Sequence, residues 1–393
     1  MNALFLIVFS NLLGFGIIIP LLPYYAEEFG ANPNEVTLLM ASYSLMQLIF
    51  SPILGRISDI YGRKKILILC LIGSAISYLL LYISTNFLFI LFARSVAGLF
   101  GSTTAIANAY VTETTSSTNR SKGMGLIGAA FGLGLVFGPV IGGYFGGGDI
   151  NNVDFKTPFL FAFLVSIISF VIAFFTLVEP KKRNKQFVTM NFIYLFKDLL
   201  NIFKVPALLF LITIFFIVTF SFAGFETTFA MWTERAMNWA SKQTGYAFTF
   251  TALLVAIIQG FLIGKLTIKF GELKLLIFSC FLMFIGLFFI TLSSQNLYYL
   301  MISLTALGIS VGLGNPSLNS LLSKNLDKNI IGTSFGVVQS VGSLARILSP
   351  LVMGNLFYFI GINSPYNFGA ILMFVSFFLF ILYFSFLRKI IKT

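Results

Sequence analysis

Histidine is absent from this 393-residue sequence, and cysteine occurs only twice, as Cys70 and Cys280. Histidine therefore cannot carry protons or bind a metal in this chain. Both cysteines fall within long apolar stretches, and they match neither a metal-ligand spacing nor a disulfide framework. The sequence also lacks a Walker-type phosphate loop, a cluster of metal-ligating side chains and a nucleophile–base pair. These absences argue against ATP as the energy source, against a metal or other cofactor, and against an enzyme.

Charged residues are scarce as well. They make up 10% of the chain, whereas about 25% is usual for a soluble domain. The chain is 58% hydrophobic, a composition that would leave a soluble protein without a polar surface. Because about 20 apolar residues span a bilayer as a helix, long apolar stretches predict membrane spans. We count twelve, at about residues 3–24, 36–58, 66–84, 87–112, 123–145, 157–178, 207–231, 244–268, 273–292, 296–321, 331–356 and 366–387. The first is too long for a signal peptide and lacks a basic n-region and a cleavage site.

The net charge of +12 is explained by where the cations lie, so it does not indicate a nucleic-acid partner. With the N-terminus inside the cell, 20 of the 25 Lys and Arg residues fall in predicted cytoplasmic segments, and only Lys156, Arg235 and Lys242 fall in outer loops. An excess of Lys and Arg in cytoplasmic loops is the positive-inside rule. We therefore predict a multi-pass protein of the bacterial cell (inner) membrane with both termini in the cytoplasm.

One long polar segment divides the chain. Residues 179–206 start with the charged run Glu179–Arg183 and turn weakly amphipathic around Tyr194–Phe203, which predicts a cytoplasmic linker with an interfacial helix. The predicted domains are an N-terminal six-helix bundle at 1–178, this linker, and a C-terminal six-helix bundle at 207–393.

The two halves resemble one another. The spacing of Gly55 and Gly62 recurs about 210 residues later at Gly264 and Gly271, and the Gly-rich fifth span with Pro139 has a counterpart at nearly the same offset. Such agreement indicates parallel six-helix repeats related by an axis along the membrane normal. The predicted fold is an all-α membrane protein of twelve transmembrane helices in two pseudo-symmetric six-helix bundles, acting as a monomer.

The segment between the second and third spans carries the first motif. Residues 55–65 read GRISDIYGRKK and contain the pattern G-x-x-x-D-x-x-G-R-[KR], filled by Gly55, Asp59, Gly62, Arg63 and Lys64. The pattern resembles the corresponding loop of the major facilitator superfamily. The resemblance implies that Asp59 bonds Arg63 and the N-terminus of the eleventh span near Ile331–Thr333, locking the halves together on the cytoplasmic side in the outward-open state. A carboxylate is favoured at a helix N-terminus.

The fifth span carries the second motif. Residues 134–143 read GLVFGPVIGG and resemble the antiporter motif G-x-x-x-G-P-x-x-G-G of proton-coupled drug exporters in the same superfamily. The resemblance implies export rather than uptake. Ordinary close helix packing is the alternative, because small residues four apart let helix backbones approach. The motif residues are Gly134, Gly138, Pro139, Gly142 and Gly143.

Arg94 and Glu226 are the candidates for proton coupling. Arg94 begins an R-x-x-x-G sequence that resembles the family's fourth-helix motif, to which the family assigns proton coupling; an arginine capping backbone carbonyls is the alternative. Glu226 is the one carboxylate well inside a predicted span, where a low dielectric favours the neutral acid that a proton carrier needs. A hydrated carboxylate near the outer mouth is its alternative. We expect Glu226, about five residues from the outer end of its span, to approach Arg94 across the cavity, and we expect a structural pairing for Arg346.

The first span resembles that of tetracycline/proton antiporters, which carry an aspartate where Asn11 stands. This position cannot ionise here, so that coupling residue is not shared. Glu113 also resembles the family and is interpreted as a loop anchor. The polar residues Asn11, Gln47, Asn108, Asn315 and Gln339 are candidates for the substrate cavity.

The sequence as a whole predicts a proton-coupled secondary transporter, with a small-molecule substrate, protons and the lipid bilayer as its partners. It would export small apolar or amphipathic compounds by alternating access, as drug or multidrug efflux pumps do. A metabolite or lipid transporter of the same fold is the alternative. A non-transporting membrane receptor or assembly factor is a third class, disfavoured because Glu226 and Arg94 within the membrane would then be a cost without a role.

Overall fold

The computed structural model describes residues 2–115, 117–180, 206–325 and 331–391, and this part of the chain contains helices but no strand. Eleven spans in it are long and apolar enough to cross a membrane. A twelfth is gained if Ala3–Ile18 and Leu22–Glu28, which are bent by 48° at a short break, count as one. The predicted all-α membrane class is confirmed.

The described residues of the first half form one 3-10 turn, at Ile150–Asn152, and eight α-helices. They are α1 (Asn2–Ile18), α2 (Leu22–Glu28), α3 (Pro33–Tyr61), α4 (Arg63–Ile83), α5 (Phe87–Leu99), α6 (Thr103–Thr114), α7 (Ser117–Gly146) and α8 (Lys156–Thr176). The helices α5 and α6 together make one span, Phe87–Thr114.

The second half, within residues 206–325 and 331–391, forms seven α-helices and one π-helical turn. They are α9 (Pro206–Met237), α10 (Ser241–Ile257), the π turn Ile258–Leu262, α11 (Ile263–Phe270), α12 (Glu272–Thr291), α13 (Leu297–Asn325), α14 (Ile331–Phe359) and α15 (Ser364–Ile391). The helices α10 and α11 continue through the π turn as one span, Ser241–Phe270.

The first span is not the single helix predicted for residues 3–24. Pro20 has no N–H for a bond back along the helix, and its ring clashes with the preceding turn, so α1 ends at Ile18. The helix restarts at Leu22 with Pro23 in its first turn, where a missing N–H costs nothing.

The seventh span is longer than the predicted 207–231. The helix α9 continues to Met237, eleven residues beyond Glu226, which corresponds to about 16 Å of helix. Local contacts stabilise these additional turns of the helix, because Trp232 is fully buried and the Thr233 hydroxyl donates to the Ala230 carbonyl at 3.0 Å. Glu226 therefore lies further from its helix end than the five residues expected from the sequence.

Two compact units divide the contacts of the chain. Unit 1 comprises Met1–Phe187 and Phe229–Thr249; unit 2 comprises Val188–Thr228 and Phe250–Thr393. In unit 1, α1 packs against α7 and α8, and α3 and α4 both pack against α5. In unit 2, α12 packs against α13 and α15. The domain boundaries at 178 and 206 stay a prediction, and most of the predicted linker, residues 181–205 with Tyr194–Phe203, lies outside the described residues.

Candidate functional site

The first motif builds an ion-pair network around Arg63 at the start of α4. The guanidinium contacts the carboxylate of Asp59, one turn earlier on α3, as the family resemblance implies. It also donates to Glu113 Oε1 from Nε at 3.0 Å and from Nη2 at 2.7 Å, and from Nη1 to the Ser58 hydroxyl at 2.5 Å. Arg63 is 13% exposed, Glu113 29% and Asp59 53%. Arg63 therefore ties α3 and α4 to the end of α6 through a partly buried charge.

Gly62 makes the sharp turn that puts Arg63 in place. It ends α3 and precedes α4 with φ 113°, in the left-handed region that favours glycine. A Cβ on Gly62 would stand 2.5 Å from the carboxyl group of Glu179, a flexible side chain that can move aside, so the backbone conformation rather than space explains the glycine. Lys64 reaches the Phe174 ring, with Nζ 5.8 Å from its centroid. At Gly55 a Cβ would meet nothing within 4 Å among the described residues, so packing there does not explain the glycine.

The lock contact to the eleventh span stays a prediction. The side chains of Ile331–Thr333 lie outside the described residues. The structure adds a second carboxylate on Arg63, that of Glu113. The sequence analysis interprets Glu113 as a loop anchor.

The antiporter motif on α7 is a close-packed surface for α1. Gly134, Gly138 and Gly142 follow one another every four residues and all face α1. A Cβ on Gly138 would stand 2.7 Å from both the Leu13 carbonyl oxygen and the Gly16 Cα. Backbone atoms cannot rotate aside as a side chain can, so this face admits only glycine.

A second face of the same motif meets the start of α10, also within unit 1. A Cβ on Gly143 would stand 2.6 Å from the Ser241 carbonyl oxygen and 3.1 Å from Gly245 Cα. Gly245 in turn lies against the carbonyl oxygen of Pro139, which leaves no space for a side chain. The ten-residue motif thus joins α7 to two other helices, backbone against backbone.

Arg94 on α5 is 1% exposed. Its Nη2 approaches the Met40 sulfur at 3.6 Å, and its guanidinium carbon lies 4.7 Å from the centroid of the Tyr43 ring. Among the described residues its Nε has no hydrogen-bond partner, and no carboxylate of those residues lies within 4 Å of it. Gly98, the glycine of the R-x-x-x-G sequence, lets α5 approach α3 so closely that a Cβ would stand 2.9 Å from Tyr43 Cα. That approach puts the Tyr43 ring under the guanidinium.

A small cavity adjoins Arg94. Its lining includes Asn11 from α1, Tyr43 from α3, and Ser74, Ser77 and Tyr78 from α4. Asn11 Nδ2 is 3.4 Å from the Ser74 hydroxyl, which orients the amide toward α4. Of the candidates for a substrate cavity, Asn11 is thus the one that the structure places beside Arg94.

The other candidates lie elsewhere. Gln47 donates to the Gly101 carbonyl at 2.8 Å, at the break between α5 and α6, and so satisfies a helix-terminal carbonyl. Asn108 is partly buried on α6, whereas Asn315 on α13 and Gln339 on α14 are exposed.

Glu226 lies on α9 in unit 2, and its side chain is partly buried. The charge that acts on it is that of Arg346 on α14. The two helices pack closely nearby, because a Cβ on Gly224 would stand 2.7 Å from the Met353 side chain and the Ser349 hydroxyl donates to the Phe220 carbonyl at 2.5 Å. Arg94 belongs to unit 1, so its expected approach to Glu226 stays a prediction.

Sequence reasoning missed a polar cluster where α2 meets the end of α9 within unit 1. Arg235 Nη2 is 2.9 Å from Glu27 Oε1. The Tyr24 hydroxyl lies 3.0 Å from the Trp239 carbonyl oxygen and 3.1 Å from the Thr244 hydroxyl. The one available signal was the rarity of cations in the predicted outer loops, which made Arg235 conspicuous.

Comparison with known proteins identifies relatives over nearly the whole chain. A family model described as the Major Facilitator Superfamily matches residues 4–350 and again 234–390. The tetracycline resistance protein, class H, of Pasteurella multocida is 29% identical over 356 residues, which cover 90% of this chain and 87% of that protein. Multidrug resistance protein 2 of Bacillus subtilis (strain 168) is 28% identical over 386 residues, 95% of this chain and 94% of that protein.

A solved structure of the nucleoside transporter NupG superimposes with a TM-score of 0.78 over 98% of this chain and 99% of that one, at 13% identity. At that identity the likeness establishes the fold alone.

Proposed function

Because the chain belongs to the Major Facilitator Superfamily, we propose that it is a transporter that exports small apolar or amphipathic compounds in exchange for protons by alternating access. Relatives named for tetracycline and multidrug resistance match it over about nine-tenths of its length, and they support efflux. The proposed location is the bacterial cell membrane, as a monomer with both termini in the cytoplasm.

The observation that carries the proposal is the junction of α1, α7 and the start of α10 around Gly138 and Gly143. The contacts at these glycines are between backbones. Where α7 meets the start of α10 at Gly143 and Gly245, such a surface can separate and close again, as an alternating-access transporter requires. Charge pairs at both ends of unit 1, Arg63 with Glu113 and Arg235 with Glu27, are contacts that can form in one state and break in the other.

Proton coupling is assigned to Glu226 with Arg94. A carboxyl group at membrane depth is stable without a counter-ion only when neutral, and a nearby cation stabilises its ionised form. Arg346 supplies that cation in unit 2, and Arg94 has no carboxylate within 4 Å among the described residues. The network of Asp59, Arg63 and Glu113 is assigned to the conformational lock.

The alternative is a metabolite or lipid transporter of the same fold. It is favoured by one observation: each glycine of the antiporter motif has a close-packing neighbour, so the motif can be explained without export.

Dye retention in energised cells separates the two. Overexpression should lower the intracellular level of an amphipathic fluorescent dye, and an uncoupler should abolish the difference. The Glu226→Gln variant, expressed at the same level in the membrane, should leave the dye level equal to that of cells with empty vector. Unchanged levels of every dye tested, together with uptake of a nutrient or lipid that depends on the wild-type protein, would support the alternative.

A further inference from the structure

Two carboxyl groups share one guanidinium where α2 meets the end of α9. Arg235 Nη2 lies 2.9 Å from Glu27 Oε1, and Nη1 of the same side chain lies 3.4 Å from Glu234 Oε2. The two carboxyl groups, here called the acid pair, also hydrogen-bond one another. The Glu27 side chain is 18% exposed and that of Glu234 is 23% exposed, so solvent screens the acid pair weakly. All three residues belong to unit 1.

A hydrogen bond between two carboxyl groups requires a proton. An ionised carboxylate accepts hydrogen bonds but has none to donate, so one member of the acid pair must be protonated for this bond to form. Two ionised carboxylates at such a distance repel one another, and paired carboxyl groups therefore hold one proton between them. With that proton the acid pair and Arg235 together carry no net charge, and without it they carry one negative charge.

The other charged and titratable groups on the elements packed here are turned away from the acid pair or lie in solvent. Glu28 of α2, Asp149 after α7 and Tyr246 of α10 are exposed. The Tyr24 hydroxyl donates to the backbone carbonyl of residue 239 at 3.0 Å. Lys242 of α10 lies over the ring of a tyrosine on α7, with its Nζ 5.8 Å from the ring centroid. The charge at the contact is therefore set by the acid pair and the guanidinium that bridges it.

We propose that the acid pair is a pH-sensitive switch: its shared proton holds α2 against the end of α9, and loss of that proton lets the two helices separate. Uncharged contacts nearby fix where the helices meet, because the Tyr24 hydroxyl is 3.1 Å from that of Thr244, which is 2.8 Å from that of Thr233. The cation distribution predicts that this end of the chain lies outside the cell, so external acid would close it. The inference rests on the proposed function in treating the contact as a gate of the transport cycle, and it leaves the coupled proton on Glu226.

Tryptophan fluorescence of the full chain in lipid nanodiscs tests the switch. The sequence has two tryptophans, Trp232 and Trp239, and they flank Glu234. Quenching by acrylamide, which is uncharged, measures how readily a solute reaches them. The chain has no histidine, so the side chain that usually titrates near neutral pH is missing. We expect quenching at pH 9 to be at least twofold stronger than at pH 5, because the separated helices expose the two rings.

Three variants locate the switch. Glu234→Gln should lose the pH difference and stay weakly quenched, because its amide can donate to Glu27 at every pH. Glu27→Gln should lose the difference as well, because the one remaining carboxylate is paired with Arg235. Glu28→Gln, the same substitution at the exposed neighbour, should keep the wild-type profile. Size-exclusion profiles at both pH values check that each variant is folded, and Glu27→Gln decides if Glu234→Gln is not.

The proposal is overturned if quenching of monodisperse wild-type protein does not change between the two pH values. It is also overturned if folded Glu234→Gln, which retains Glu226, keeps the wild-type profile, because another proton would then cause the response. The assay requires no transport, so the two proposals fail separately. A dye exporter without this pH response removes only the switch, and a pH response in a chain that exports nothing removes only the proposed function.

Discussion

Arg63 donates two hydrogen bonds to a single carboxylate oxygen of Glu113, from Nε at 3.0 Å and from Nη2 at 2.7 Å. The two residues are 50 positions apart, and the bond joins the start of α4 to the end of α6. Asp59 bonds the same guanidinium from α3, but it is 53% exposed, whereas Glu113 is 29% exposed. The less exposed carboxylate should therefore contribute more to stability, because solvent screens it less.

Glu113→Gln should lower the stability of the purified protein by at most about 1.5–3 kcal/mol, the range for a hydrogen bond to a charged group. Thermal unfolding in detergent measures it. Thr112→Ala, at an exposed neighbouring position on α6, is the control and should unfold near the wild-type temperature. Equal unfolding midpoints for Glu113→Gln and wild type would show that the ion pair does not contribute to the stability of the protein.

Asp59→Asn should impair transport with little loss of stability. The contact that it loses is largely solvated, so the effect should be a shift of population away from the outward-open state. Cross-linking between cysteines on the cytoplasmic sides of the two sequence halves, compared in variant and wild type, measures that shift. Unchanged cross-linking with normal transport would remove Asp59 from the mechanism.

Gly138→Ala should destabilise the protein strongly, because the new Cβ would meet backbone atoms of α1 at 2.7 Å and neither helix can yield locally. Gly132, on the same helix, is a matched control, because a Cβ there meets nothing within 4 Å among the described residues. Gly132→Ala should be neutral or stabilising by up to ~1 kcal/mol, since alanine is the better helix former. Comparable expression and unfolding midpoints for both variants would contradict the close packing of α1 on α7.

The orientation of the chain can be tested with single cysteines in a background that lacks Cys70 and Cys280. A cysteine at Asn32, exposed before α3, should react with an impermeant thiol reagent in intact cells. One at Asn191, outside the described residues but in the predicted cytoplasmic linker, should react only after the cells are opened. Reversed labelling would overturn the assignment of cytoplasmic and outer segments that is drawn from the cation distribution.

Patterns local in sequence predicted the fold well. Apolar runs predicted the helices, and the four-residue spacing of Gly134, Gly138 and Gly142 predicted a surface on which another backbone lies. Pro20 also indicates the bend after Ile18, although the length of the apolar stretch alone predicts one helix there.

Contacts between residues far apart in the sequence could not be predicted from such local patterns. Arg63 and Glu113 meet because α4 begins and α6 ends at the same side of unit 1, and Tyr24 reaches Thr244 across 220 positions. The surroundings of Arg94, in which no described residue places a carboxylate within 4 Å, depend on the side chains that α1, α3 and α4 each contribute. No spacing in the sequence predicts such an arrangement of side chains from several helices. The apolar runs that predicted the spans, by contrast, are each visible within a single segment.

Glu226→Gln is the decisive test of proton coupling. Asn11 cannot ionise, the chain has no histidine, and Asp59 and Glu113 lie in the network around Arg63. Glu226 and Glu234 both lie on α9, and Glu226 is the one further from the end of the helix. Its helix continues eleven residues to Met237, and Arg346 supplies the charge that acts on Glu226.

Glutamine keeps the shape and hydrogen-bonding capacity of Glu226 but carries no transferable proton. The variant should therefore lose uphill, proton-driven export while retaining substrate binding and part of the downhill exchange. Transport into everted membrane vesicles, driven by an imposed pH gradient or by a substrate gradient alone, measures the two separately. A glutamine variant that still exports against a gradient with the wild-type dependence on pH would mean that the proton travels by another route.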